Sequence, residues 1–242
     1  MPKELHNLNP LPDGISLRKG KTLLGQFIIN MVGDFKFASH NLEMYPHSFV
    51  ATPDSTPSPS FDELNYHVIL LRLIVVSIAS RYEDFLGEVC KRALVTRHNL
   101  FGQFDPHMSW KDIPEDGNTD QLWDKLAERA LRGALESGRF RTFVSALKKI
   151  GVEALAEDKD HDLALQEFMA RRNVIVHSNN FPDRAYLNLV KTPKTYPAGS
   201  LFIDLDYLDD VLDALAKCAR KVVQQLVDNG TFDPSELDES SE

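Results

Sequence analysis

Apolar residues recur at helical spacing along most of this chain, in runs separated by Pro-, Gly- and Ser-rich stretches. Leu24, Phe27, Ile28, Met31, Val32 and Phe35 predict a first amphipathic helix from about Lys21 to Tyr45–Pro46, after an irregular arm over residues 1–19. Residues 51–60 carry three prolines and five Ser/Thr hydroxyls, which cannot sustain a helix and read as a linker. Ser60 with Glu63 three residues later fits a capping box. Behind it, Leu64, Val68, Leu71, Val75, Ile78, Tyr82, Phe85 and Val89 form one continuous stripe, the mark of a long central helix. A neighbouring line holds Leu73, Val76, Ser80, Glu83, Gly87 and Cys90. Its small residues would let a second helix approach closely, so Glu83 is expected on a partly covered face.

After a Pro-, Gly- and Asp-rich loop over 99–118, helices are expected from Thr119 to Glu136 and from Phe140 to Ile150, the latter stopped by Gly151. Another begins near Asp160–Asp162, whose acids suit a helix N-terminus, and runs through Leu163, Leu165, Phe168 and Met169 to His177. Tyr186–Val190 and Ser200–Ile203 alternate weakly about Pro193, Pro197 and Gly199, the pattern of a small β-hairpin. A last helix is expected over Asp206–Val227, ended by Asn229-Gly230. The pattern is that of an all-α bundle with a possible hairpin before its final helix. It divides into an N-terminal arm, helix and linker (1–59), a helical domain (60–230) and an acidic disordered tail (231–242).

Composition narrows the setting. No apolar run reaches membrane-spanning length, and Met1–His6 lack the charged-then-apolar pattern of a signal peptide. The two cysteines, Cys90 and Cys218, sit within expected helices without metal-ligand spacing and read as buried thiols of a cytoplasmic protein. A formal net charge of -9 argues against a protein that coats nucleic acid non-specifically, but it leaves room for a local basic site. Residues 124–150 hold such a run, with Lys125, Arg129, Arg132, Arg139, Arg141, Lys148 and Lys149, although a solvated helix face explains it equally.

Chemistry-bearing residues concentrate in Arg171-Arg172-Asn173-Val174-Ile175-Val176-His177-Ser178-Asn179-Asn180, which closes one helix. Asn173 and His177, four apart, share a helix face, whereas Arg172 points elsewhere, in line with Leu165, Phe168, Met169, Ile175 and Val176. A guanidinium among apolar positions is costly without a partner, and Glu83 is the candidate. A purely structural reading is an ion pair plus a helix-terminal histidine near the last carbonyls. Spacing alone does not single the segment out, because Arg92 and His98 satisfy it too. The other candidates are plainer. Asp204, Asp206, Asp209 and Asp210 gather where a helix starts, and the eight histidines are dispersed. There is no Gly-rich phosphate loop and no nucleophilic Ser or Cys in a familiar setting. No metal or cofactor is expected. Trp110 and Trp123 read as packing residues.

The Arg172-Asn173-(three apolar)-His177-x-Asn segment resembles the motif of the HEPN superfamily, an Arg and a His separated by four to six residues. It is most similar to the RNxxVH form of that superfamily's RiboL-PSP-like branch. Tyr82-Glu83-Asp84-Phe85-Leu86 in a long early helix and the Tyr196-Pro197-Ala198-Gly199 turn before the last helix are also similar to that branch. The likeness covers roughly residues 60–228, and only the Arg/His motif within it is specific. It implies a metal-independent endoribonuclease, or a non-catalytic relative binding RNA or a partner protein. It further implies a homodimer whose two motifs meet in one cleft, and a toxin–antitoxin or anti-phage defence setting with an antitoxin or defence-system partner. The implied site residues are Arg172, Asn173 and His177. His177 would act as general base or acid, Arg172 would neutralise the phosphorane, and Asn173 would orient the imidazole or hold the phosphate. Arg171 could equally be the arginine that forms the structural pair.

Overall fold

The computed structural model describes residues 22–44, 61–104, 119–137 and 140–237. Seven α-helices follow one another: α1 (Leu23–Met44), α2 (Phe61–Thr96), α3 (Thr119–Ser137), α4 (Phe140–Lys149), α5 (Lys159–Ser178), α6 (Arg184–Leu189) and α7 (Leu205–Asp228). Short 3-10 turns at His98–Gln103 and Pro234–Leu237 complete the described set. The chain is an all-α bundle. No described helix is long and apolar enough to cross a membrane. Residues 1–21, the 51–60 linker, the Ser60/Glu63 capping box, Trp110 and the last five residues lie outside the described residues or their described side chains.

α2 is the axis. Val75, Ile78, Ala79, Tyr82, Leu86, Val89 and Cys90 are wholly excluded from solvent, and α1, α3, α4, α5 and α7 all pack on this helix. Each large apolar side chain so buried contributes about 1.5–3 kcal/mol, which is what lets a helix this long stay single. α1 belongs to the same core. Leu24, Phe27, Ile28, Met31 and Phe35 are buried with the α2 stripe, and the rings of Phe27 and Phe85 stack 4.7 Å apart. Asp34 ties the two helices by accepting from Ser77 Oγ at 2.8 Å and from Arg81 Nε and Nη2 at 2.6 and 2.9 Å.

Three helices begin on an aspartate whose carboxylate accepts a backbone N–H of the first turn: Asp158 from His161, Asp183 from Tyr186 and Asp204 from Tyr207, each at 2.8 Å. The second of these overturns the expected hairpin. Capped by Asp183, residues 184–189 wind into α6, and among the described residues only an isolated Thr195–Leu201 bridge has strand-like pairing. The weak alternation at 186–190 misleads because a single cap and the burial of Tyr186 decide the local conformation. The chain also stays ordered past Asn229: Thr231 and Phe232 are buried, and Arg97 Nη1 donates to Thr231 Oγ1 at 3.0 Å.

Candidate functional site

α5 carries the whole candidate motif, and two local devices position it. Its start is held by the Asp158 cap with Asp160 and Asp162 in the first turn, where the helix dipole favours acids. Its end is fixed by consecutive left-handed residues, Asn179 (φ 48°) and Asn180 (φ 68°), whose N–H groups both reach Val174 O. Asparagine tolerates this region better than most side chains. Asn180 is fully buried and clamps the segment before α7: its Nδ2 donates to Leu201 O, and its own carbonyl accepts from Leu201 N, both at 2.8 Å. The polar exit after His177 is therefore a built corner.

The two arginines leave the helix differently. Arg171, not Arg172, is the guanidinium inside the core, and this corrects the stripe expected from spacing. The buried positions of α5 run Leu165, Phe168, Met169, Arg171 and Val174, while Val176 is 49% exposed. Arg171 Nε donates to Glu167 Oε1 at 2.7 Å, Nη1 to Phe202 O at 2.7 Å and Nη2 to the Tyr186 hydroxyl at 3.1 Å. The Tyr186 hydroxyl in turn donates to Glu167 Oε1, and Tyr207 donates to Oε2 at 2.9 Å. The guanidinium also lies 4.2 Å from the Tyr207 ring centroid. Burial alone would lower the Arg171 pKa, but Tyr207, Glu167 and Tyr186 together hold it above its ordinary value. Burial and the Glu167 charge push both tyrosine hydroxyls up, so they stay neutral donors. The network joins α5, α6, α7 and the segment before α7. Its members Glu167, Tyr186 and Tyr207 were not expected from sequence; the i, i+4 spacing of Glu167 and Arg171 was the available signal.

Arg172 turns toward α2. Its Nη2 meets Glu83 Oε2 at 3.3 Å, the partner expected from sequence, and its Nη1 donates to Asn173 Oδ1 at 3.0 Å. Both members of the ion pair are partly buried, with side-chain exposures of 18% and 13%. The pair is not saturated. Arg172 Nε and Glu83 Oε1 are buried without a hydrogen-bond partner among the described residues. Burial raises the Glu83 carboxyl above its ordinary range, and Arg172 only partly offsets that.

Asn173 and His177 are both exposed on the other side of the helix. Among the described residues no hydrogen bond to the His177 ring is formed. Asn173 also lines a groove of about 960 Å³ between α4, residues 153–159, α5 and α6. Arg141 and Lys148 line this groove together with Glu157, Asp158 and Asp162, so its walls are of mixed charge. The basic run over 124–150 is thus dispersed: Lys149 stacks over Phe104, and Lys91 of α2 takes up Asp124 and Glu128.

The second Arg/His spacing is consumed by packing. Arg92 pairs with Glu236 at 3.2 Å, and the His98 ring stacks on Trp123 with centroids 3.6 Å apart. Asp204 is the α7 cap. No family model, no curated protein and no solved structure matches this chain.

Proposed function

We propose that this protein is a metal-independent endoribonuclease of the HEPN type, acting as a homodimer in a toxin or anti-phage defence setting. The observation that carries the reading is the division of labour between neighbouring arginines. Arg171 is spent inside the fold, whereas Arg172 is steadied by Glu83 and Asn173 beside an exposed His177 that has no structural bond to lose. A residue kept for chemistry has this profile; one kept for packing does not.

The chemistry follows from the groups. His177 removes the proton of a ribose 2′-hydroxyl, or protonates the departing 5′-oxygen, since imidazole is suited to both near neutral pH. The 2′-oxygen attacks phosphorus, the P–O5′ bond breaks, and the products are a 2′,3′-cyclic phosphate and a 5′-hydroxyl. Arg172 neutralises charge that develops on the phosphorane oxygens. Residues five apart on one helix diverge by about 140°, so Arg172 and His177 of one chain cannot flank the same phosphate. A second copy completes the site. In support, the α2 line that ends in Glu83 is covered by α5 only at that end, while Ile69 and Leu73 further along are 50% and 60% exposed, as is Val176 at 49%.

The alternative is a non-catalytic module of the same type, binding RNA or a partner protein such as an antitoxin. One feature favours it: no described residue holds the His177 ring in one tautomer, as a catalytic histidine usually requires. The deciding experiment is RNA cleavage in EDTA by wild type, His177→Ala and Arg172→Ala, with product ends mapped. Cyclic phosphate ends from wild type alone support the nuclease. Intact RNA with a folded, dimeric wild type leaves the binding module.

A further inference from the structure

Arg72 is a partly buried arginine on α2 with no hydrogen bond and no ion pair among the described residues. Its position is unusual in this molecule. Arg81, Arg97, Arg171 and Arg172, the other partly or fully buried arginines whose partners are identified, each have one: Asp34, Thr231, Glu167 and Glu83. In Arg72 the Nε atom is shut off from solvent with nothing to donate to. Burial lowers its pKa from the ordinary value, but a guanidinium stays charged in a protein all the same. The neighbouring group is Tyr196. Burial raises that phenol, whose hydroxyl donates to Ile203 O at 3.3 Å, so it is neutral and cannot supply the missing negative charge. A desolvated cation without a counter-charge is a standing cost to the fold.

The location suggests what offsets it. Arg72 and Glu83 are eleven residues apart, three turns along one stripe of α2 and about 16 Å by helical rise. Glu83 holds Arg172 of α5. At the other level, Arg72 faces the turn bearing Tyr196, whose N–H bonds Ser200 O, and the adjacent Leu201 is clamped to Asn180 at the exit of α5. His177 lies in the α5 segment between these two tie points.

We propose that Arg72, with Tyr196 beside it, is a phosphate-binding subsite for RNA lying beyond the Arg172–His177 centre. The guanidinium contacts a backbone phosphate of a flanking nucleotide, and the strand supplies the charge that the chain does not. This rests on the ribonuclease reading for its ligand but not for its test. Burial of the Nε atom fixes the fork in place, and bidentate geometry makes arginine the residue suited to such a contact.

The test uses the full chain carrying His177→Ala, so that RNA is not consumed, with and without Arg72→Met. Binding of a labelled oligouridylate is followed by fluorescence anisotropy across a salt series, with thermal melting and sedimentation alongside. Arg72→Met is expected to weaken binding about tenfold at low salt and to flatten the log–log salt slope by about 0.7, the value for one phosphate contact to a single strand. It is also expected to leave Tm unchanged or raise it, because an unpaired buried charge is removed. An unchanged affinity and slope overturn the subsite. A fall in Tm assigns Arg72 a structural role and overturns it as well. Conversion to monomer assigns Arg72 to a carboxylate of a second copy and likewise overturns the subsite. If the His177→Ala protein binds no RNA at all, this inference and the RNA reading both fall. If RNA is bound but wild type never cleaves it, only the nuclease reading falls.

Discussion

Arg171 and Arg172 leave the same turn of α5, and each meets a carboxylate, yet the two regions are built on different terms. Around Arg171 every nitrogen has an acceptor, each carboxylate oxygen of Glu167 is used, and an aromatic ring covers the guanidinium. Around Arg172 one nitrogen and one carboxylate oxygen are left over, and the surroundings open toward exposed Asn173. A closed network stores its energy in the fold. An open one keeps donors in reserve, and reserve is what a ligand can use. Scaffold and site separate more sharply on this ground than on motif spacing.

Removing Arg171 puts the contrast under the greatest strain. Arg171→Ala strands Glu167 and two tyrosine hydroxyls in the core, and is expected to cost about 3–5 kcal/mol of stability in urea denaturation. A loss under about 1 kcal/mol, the range of an exposed pair, would mean the network is not structural. Arg172→Ala should do the reverse, lowering cleavage by about 10²–10³-fold while changing stability by no more than about 1 kcal/mol. Equal damage to stability from both variants would erase the distinction.

Smaller effects refine it. Asn180→Ala loses the bond to Leu201 O in a buried, left-handed corner, an expected cost of about 1–3 kcal/mol in the same denaturation series. The Glu83 carboxyl supplies a pH signature. Its pKa is raised by burial, so its contribution to stability is full below the ordinary glutamate value of about 4.3 and falls as pH rises through the raised one. Glu83→Gln removes that slope. Melting curves of wild type and Glu83→Gln that stay parallel across the range would show that the carboxyl titrates normally. Last, His177→Ala should leave stability within about 0.5 kcal/mol, since the ring is exposed; a larger loss would favour a structural histidine.

Much of the fold was legible because helix formation here is local. Periodic apolar residues placed α1, α2, α3, α4, α5 and α7 within a few residues of their observed ends, and the aspartates at 158 and 204 precede helices as a capping residue should. The hairpin expectation failed at a short segment, where one capping aspartate and one buried tyrosine outweigh a weak alternation. At the site, the Arg172–Glu83 pair followed from two stripes that had to meet. The identity of the core arginine did not.

An all-α chain, a central helix at Phe61–Thr96, and a helix end where Arg, Asn and His gather were all written in the order of residues. These depend on side-chain period, caps and residue chemistry within one element. Folding in three dimensions settled the rest: which arginine is interior, that Glu167, Tyr186 and Tyr207 converge on it, and that Arg72 has no counter-charge among the described residues. Those outcomes depend on where α6, α7 and the Tyr196 turn come to rest against α2 and α5. A residue's partners across elements, unlike its place on a helix face, are set by packing that no single stretch of chain contains.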